Sequence, residues 1–246
     1  MKKLPRKVTW FALLLSLAGV LTYRSLRATP AVLAAAHTMH PHDAHMVMTK
    51  LASVKPGDQA RAAAVLAGAR KAAERFSNYR DAQDDGYTVF LPEQKQAVYH
   101  FIRVGAGPMN GGPFDPSKPP ALLYTKNKGK GYTFVGVMYM APPAADEDTL
   151  NNLVPLSIAR WHEHVNLCVP PNPDQDGNWL LHDPRFGLTG SITTAEECQA
   201  AGGKFHPHLA GWMTHVYPLE KDPAKIWAAG MDDMHLIEQA MPDMKM

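Results

Sequence analysis

The chain has 246 residues, 46% of them hydrophobic, which is enough for one sizeable globular domain or two small ones. Its formal net charge of +2 depends on the N-terminus, because six basic residues and no acidic one lie in residues 1–36. Without these six, 19 basic residues remain against 23 acidic ones, and a body of that charge excludes nucleic acid as the expected partner, since such binding needs clustered Lys and Arg.

Residues 1–36 have the features of an export signal. A basic stretch at 1–7 precedes an apolar run at 8–21, which is shorter than the roughly 18 residues expected of a membrane span and fits a signal peptide. The small residues at 34–36 match a cleavage site, and an uncleaved membrane anchor formed by residues 8–21 is the alternative. Basic residues before the run place the body of the protein outside the cytoplasm. We therefore predict a periplasmic or extracellular protein that contacts the membrane only if this segment is uncleaved.

Residues 37–56 form a segment whose first part is rich in histidine and methionine. Four His and three Met occur in residues 37–48 without apolar periodicity. This composition predicts a flexible segment that attracts metal ions, and imidazole together with thioether favours copper. The alternatives are an ordinary solvated linker and, if cleavage follows Ala36, a copper chelate formed by the amino group and ring of His37. A second Met-rich tail is predicted at 231–246.

Residues 57–230 are predicted to form a single α+β domain. Apolar residues at helical spacing predict a long amphipathic helix from Asp58, its N-cap, to Asn78. We expect this helix to pack on a mostly antiparallel sheet of four to six strands, with a short closing helix after Asp222. Alternating patterns predict strands at residues 98–102, 121–125, 132–140, 160–168 and 211–218.

The two cysteines, Cys168 and Cys198, are predicted to form one disulfide in an oxidising compartment. Cys168 ends a predicted strand, and Cys198 lies in a predicted short helix that begins near Thr194 and ends at Gly202. The disulfide would pin this helix beside the strand. Metal ligation by the Cys168 thiolate is the weaker alternative, because Cys198 is an obvious partner.

The strand at 160–168, R-W-H-E-H-V-N-L-C, carries the candidate metal ligands. Alternation places His162 and His164 on one face, where two imidazoles can hold a single ion. His100 and His215 lie in the middle of other predicted strands, so three or four imidazoles converge if these strands are neighbours. Three His ligands with an open position suit zinc, copper or non-haem iron.

Other residues are predicted to support this site or to serve as reserve ligands. Asn166, Tyr217 and Glu163 are candidates to orient the ligands. The histidines at 182, 206 and 208 are predicted to lie in loops, with His206 and His208 as reserve ligands. The sequence contains no G-x-S-x-G, no H-E-x-x-H and no Gly-rich phosphate loop, so no catalytic residue or organic-cofactor site is predicted.

Four phrases of the sequence resemble a known group of proteins. They are Y-R-D-A-Q-D-D-G-Y at 79–87, Y-H-F-I at 99–102, P-P-A-L-L-Y at 119–124 and G-W-M-T-H-V-Y-P at 211–218. With them the chain resembles a group of exported bacterial proteins of unassigned activity. The resemblance implies an exported single domain with a shared sheet, and it implies no activity or catalytic residue.

Three functions remain open from the sequence. The first is an exported protein that binds a transition metal, with copper ahead of zinc and iron, through histidines on the sheet. The second is a structural or interaction module of the cell envelope, in which these histidines only form hydrogen bonds. The third is a metalloenzyme acting on a small substrate, which a distinct apolar pocket beside the histidines would favour. We favour the first, and no protein partner is indicated.

Overall fold

The residues described by this computed structural model, 44–129 and 131–227, build an α+β structure around one antiparallel sheet. Within them the sheet has seven strands in the order β1-β6-β7-β5-β4-β3-β2. The strands are β1 (Met46–Met48), β2 (Thr88–Val89), β3 (Tyr99–Ile102), β4 (Ala121–Lys126), β5 (Tyr132–Ala141), β6 (His162–Val169) and β7 (Lys204–Val216). The expectation of four to six strands is corrected to seven, because the two edge strands are too short to produce a period in the sequence.

Six α-helices occur in the described part of the chain. They are α1 (Asp58–Arg75), α2 (Tyr79–Asp84), α3 (Glu147–Leu153), α4 (Trp179–His182), α5 (Ala195–Ala200) and α6 (Pro223–Ile226). None of them is both long enough and apolar enough to cross a membrane. The predicted export segment, His37 and the tail at 231–246 lie outside the described residues.

The first helix is shorter than the sequence predicts. It ends at Arg75, because Asn78 begins a new helix: the Asn78 side chain accepts a hydrogen bond from the backbone N–H of Arg80 and caps α2. At the other end Gly57, with φ of 90°, is the N-cap instead of Asp58. The Asp58 carboxylate accepts from the backbone N–H of Lys55 at 2.8 Å.

The main hydrophobic core lies between α1 and one face of the sheet. The apolar spacing of the helix predicted this face correctly, since Val65, Ala69 and Phe76 are at most 4% exposed. Tyr124 donates a hydrogen bond from its hydroxyl to the carbonyl of Phe76 at 2.7 Å, which fixes the end of the helix on the sheet. Trp161, directly before β6, belongs to this core. Its sheet residues include Tyr99, Phe101, Leu122, Tyr124, Val137, Tyr139, Trp212 and Val216.

The opposite face of the sheet has its own apolar cluster, which includes Leu123, Met138, Met213 and Tyr217. Gly136, inside β5, allows a close approach on this face. A Cβ at this position would stand 2.9 Å from the Tyr217 ring and 2.7 Å from the carbonyl oxygen of residue 216. The Tyr217 ring can therefore lie against the sheet only because residue 136 has no side chain.

The predicted disulfide between Cys168 and Cys198 is present. Both cysteines are fully buried, in a small cluster with Phe186 and Ile192. Cys198 lies on α5, whose N-cap Thr194 accepts a hydrogen bond from the backbone of residue 197. The short helix is thus pinned at the end of β6, as the sequence predicted.

Two segments are more regular than expected. Residues 46–48, within the segment predicted to be flexible, form edge strand β1 against β6. Strand β7 begins at Lys204, so His206 and His208 are strand residues and the prediction that they lie in a loop is wrong. Pro207 is tolerated because this half of β7 pairs only with β6, and a proline can face the open side of a strand. His182 also lies in regular structure, at the end of α4.

Candidate metal centre

His162 and His164 share one face of β6, as strand alternation predicted. Their ring centres are 5.4 Å apart. Across the sheet on β1, Met48 pairs with His162 and Met46 pairs with His164. Because cross-strand partners point to the same side of a sheet, both methionine side chains accompany the two imidazoles.

His215 on the neighbouring strand β7 joins this pair. Its ring centre lies 5.0 Å from that of His162. The pairing of β6 with β7 shifts at this point, because His162 pairs with Met213 whereas His164 pairs with Leu209. The extra residues of β7 include Ala210 and Gly211, with φ of 62° and 72°. Such a bulge bends its strand, and the left-handed backbone of a non-glycine residue stores strain beside the histidines.

His100 reaches the same place from β3, a strand near the far edge of the sheet. Strands β4 and β5 separate it from β7, so a flat sheet would put the two backbones about 14 Å apart. The ring centres of His100 and His215 are only 5.6 Å apart. This approach requires the sheet to curl towards the histidines, and it completes a row of four imidazoles.

Methionines surround this row. We call the set the histidine–methionine face: His100, His162, His164, His215, Met46, Met48, Met138, Met140 and Met213. Each of its five methionines is at most 8% exposed. Sequence reasoning did not assign them to the site on the sheet, although Met138 and Met140 alternate in one predicted strand and Met213 precedes His215 by two residues.

Two imidazoles of the row, those of His162 and His100, have lowered pKa values. His162 is 1% exposed, and burial, followed by the charge that the neighbouring histidines would carry, holds its pKa well below the usual 6.5. The same causes lower the pKa of His100 to about 3. Residue 100 remains partly accessible, so His162 is the more deeply buried of the two. Neutral imidazole is the form that binds metal ions.

His162 also has an unmatched polar atom. Its Nδ1 is fully buried and, among residues 44–129 and 131–227, has no hydrogen-bond partner. Leaving a buried polar atom unpaired costs about 1–3 kcal/mol. An imidazole nitrogen without a hydrogen-bond partner is available to bind a metal ion.

The distances between the imidazole rings fit a metal site, but the orientations of the rings do not. With metal–nitrogen distances of about 2.1 Å and tetrahedral angles, the ring centres of two ligands lie about 5 Å apart. The separations around His162 and His215 match this value. As the side chains stand, however, no group of three or more His, Cys, Asp or Glu in the described residues is arranged to hold a metal ion. Binding therefore requires the imidazoles to turn until three nitrogens face one point.

The three residues predicted to orient the ligands differ in their surroundings. Tyr217 lies beside the row, with its ring centre 6.3 Å from that of His215. Glu163 lies on the other face of β6, where Oε1 is 3.0 Å from Nδ1 of His208. Asn166 donates to the carbonyl of Ala44 at 3.0 Å. Of the three side chains, that of Tyr217 lies closest to the predicted role, beside His215.

We expect the metal-free protein to lose stability as the pH falls below about 6.5. The folded state keeps His162 neutral because its pKa is lowered, whereas the unfolded chain takes up a proton there, so acid favours unfolding. Each histidine held neutral contributes up to about 1.4 kcal/mol per pH unit between its unfolded and folded pKa.

Urea unfolding at pH values from about 7 to 5 measures this slope. Asp58 does not interfere, because its pKa is lowered to about 2, mainly by a hydrogen bond from Ser157, and its contribution is lost only below its usual value of 3.8. The His162→Leu variant should have a shallower slope. An unchanged slope in that variant would contradict the prediction.

No protein-family model, curated protein or solved structure matches this chain. The resemblance to exported bacterial proteins stays a prediction, and the chemistry of the site rests on its own residues.

Proposed function

We propose that this protein binds a transition metal ion, copper in preference to zinc or iron, through imidazoles of the histidine–methionine face. The observation that carries the proposal is the buried, unpaired Nδ1 of His162 inside a row of four imidazoles. A metal ion would give this nitrogen a partner. It would also explain why four histidines are gathered where apolar side chains would cost less to bury.

The methionines are the reason for preferring copper, and cuprous copper in particular. Thioethers are soft ligands that select Cu(I), and Met48 and Met213 both pair directly with His162. Imidazole and thioether are neutral, so the bound ion keeps its full charge. A single charge costs less to bury than a double one, which favours Cu(I) over divalent ions in this place.

We further propose that the protein acts outside the cytoplasm, with the membrane as a partner only if residues 8–21 remain attached. The basic and apolar pattern of residues 1–36 supports this, and a buried disulfide fits an oxidising compartment. The His- and Met-rich residues from position 37 onward lead directly into β1, which pairs with β6 at His162 and His164.

A metalloenzyme on the same histidines is the second candidate. It is favoured by a cavity whose wall includes Leu209, the cross-strand partner of His164. The purely structural role is disfavoured by the unpaired nitrogen of His162.

The test is the metal content of protein purified from the periplasm without an affinity tag, measured by mass spectrometry. We expect near-stoichiometric copper, retained after dialysis because the site is buried. Absence of metal, both as purified and after incubation with Cu(I), would exclude the proposal. Stoichiometric zinc or iron in place of copper would keep the site and refute the choice of metal.

A further inference from the structure

A cavity of about 310 Å³ lies between the segment after β2, the second half of β6, the first half of β7 and α4. Its volume is at the lower end of the range of about 300–1,000 Å³ found for small-molecule sites. The apolar side chains that line it are Phe90, Leu91, Leu167, Val169, Trp179 and Leu209. Such a lining suits the apolar body of a small organic molecule.

The walls of this cavity are held in place by hydrogen bonds that do not depend on a ligand. Gln94 is 3% exposed; its side chain donates to the carbonyl of Gly177 at 2.8 Å and accepts from the backbone N–H of Leu180 at 3.1 Å. The backbone N–H of Lys95 donates to Asn178 at 2.8 Å. The segment after β2 is thus fastened to α4, and the cavity is formed in advance of binding.

Two residues of the cavity wall are direct neighbours of the histidine row. The backbone N–H of Phe90 donates to the carbonyl of His100 at 2.8 Å. Leu209 is the cross-strand partner of His164 and lies on the same face of the sheet. The cavity wall and the histidine row are therefore joined through the backbone at these two positions.

The charged groups of the lining have one sign. Glu93 and Asp174 are both exposed, so they stand where the cavity meets solvent, and no Lys or Arg is among its lining residues. His206 is the remaining titratable side chain of the lining. Two carboxylates outside an apolar interior complement a molecule with an apolar body and a cationic end.

We propose that this cavity binds a small primary amine with an aromatic or branched aliphatic body, the ammonium group lying between Glu93 and Asp174. The apolar body contacts Leu167 and Trp179, which are each 3% exposed. The site is separate from the metal ligands, so the amine binds whether or not a metal is present.

The experiment compares three probes of similar shape on metal-free full-length protein by calorimetry: 2-phenylethylamine, 2-phenylethanol and 3-phenylpropionate. We expect the amine to bind about fivefold or more tightly than the alcohol, because two partly solvated ion pairs contribute modestly, and the carboxylate to bind least. The double variant Glu93→Gln/Asp174→Asn should bind the amine and the alcohol equally. The matched control Glu147→Gln/Asp148→Asn, on exposed positions of α3, should keep the preference.

A filled cavity gives an independent check. Val169→Phe should lose binding of all three probes, and in wild-type protein the fluorescence of Trp179 should respond to the amine, a response that Trp179→Phe removes. Equal binding of the three probes, no binding of the amine, or tightest binding of the carboxylate would overturn the proposal. Because the protein is free of metal, none of these outcomes depends on whether copper binds.

Discussion

Replacing His162 and His164 together by alanine is expected to weaken Cu(I) binding about a hundredfold or more, since two of at most four imidazole ligands are lost. His162 lies at the centre of the row, with rings of His164 and His215 centred 5.4 and 5.0 Å away. Loss of both rings leaves only the imidazoles of His100 and His215, which is fewer than the three ligands that the proposed site needs. Competition with a chromophoric Cu(I) chelator measures the affinity.

The chain offers a matched control for this experiment. His206 and His208 have the same spacing on the adjacent strand, but His208 contacts Glu163 on the other face of β6. The double variant His206→Ala/His208→Ala should bind Cu(I) like wild type. If both double variants lost binding equally, the effect would not come from the proposed site. If the substitution of buried His162 prevents folding, His164→Ala alone can be used instead. His164 is the more accessible of the two residues, and its loss should also weaken Cu(I) binding.

Removing the disulfide should lower the free energy of unfolding by about 3–4 kcal/mol, the value expected for cross-linking a loop of this length. The two cysteines are 30 residues apart in sequence, and neither is accessible to solvent. In a protein of this size such a loss lowers the melting temperature by about 10 °C. Urea unfolding of the Cys168→Ala/Cys198→Ala variant measures the change.

Reduced and alkylated wild-type protein, prepared in denaturant, separates the cross-link from local packing around Phe186 and Ile192. If the cross-link dominates, the variant and the reduced protein should lose similar stability. A loss below about 1 kcal/mol in the variant would show that the closed loop contributes little to stability.

The sequence alone predicted the central part of the site. Strand alternation in the W-H-E-H-V run placed His162 and His164 on one face, and the centre of the predicted strand at 211–218 held His215. These predictions succeed because they depend on the period of a single strand. Because β6 and β7 are adjacent in the sheet, the ring of His215 lies beside those of His162 and His164.

The rest of the site depends on how the sheet bends, which no local pattern expresses. His100 reaches His215 across two intervening strands only because the sheet curls. The bulge at Ala210 and Gly211 is equally hidden, since alanine rarely adopts a positive φ. Strand β1 was missed because three residues show no period, and with it Met46 and Met48 were left out of the predicted site.

The sheet ends at both sides in its shortest strands, three residues in β1 and two in β2. Leu91, with φ of 46°, and Pro92 prevent the β2 edge from continuing. The first half of β7 does not pair with β5, and there Pro207 has no N–H group to offer to another strand. Long unpaired edges are what allow sheets of different molecules to join, so these short and interrupted edges protect a protein of this kind from aggregation at high local concentration.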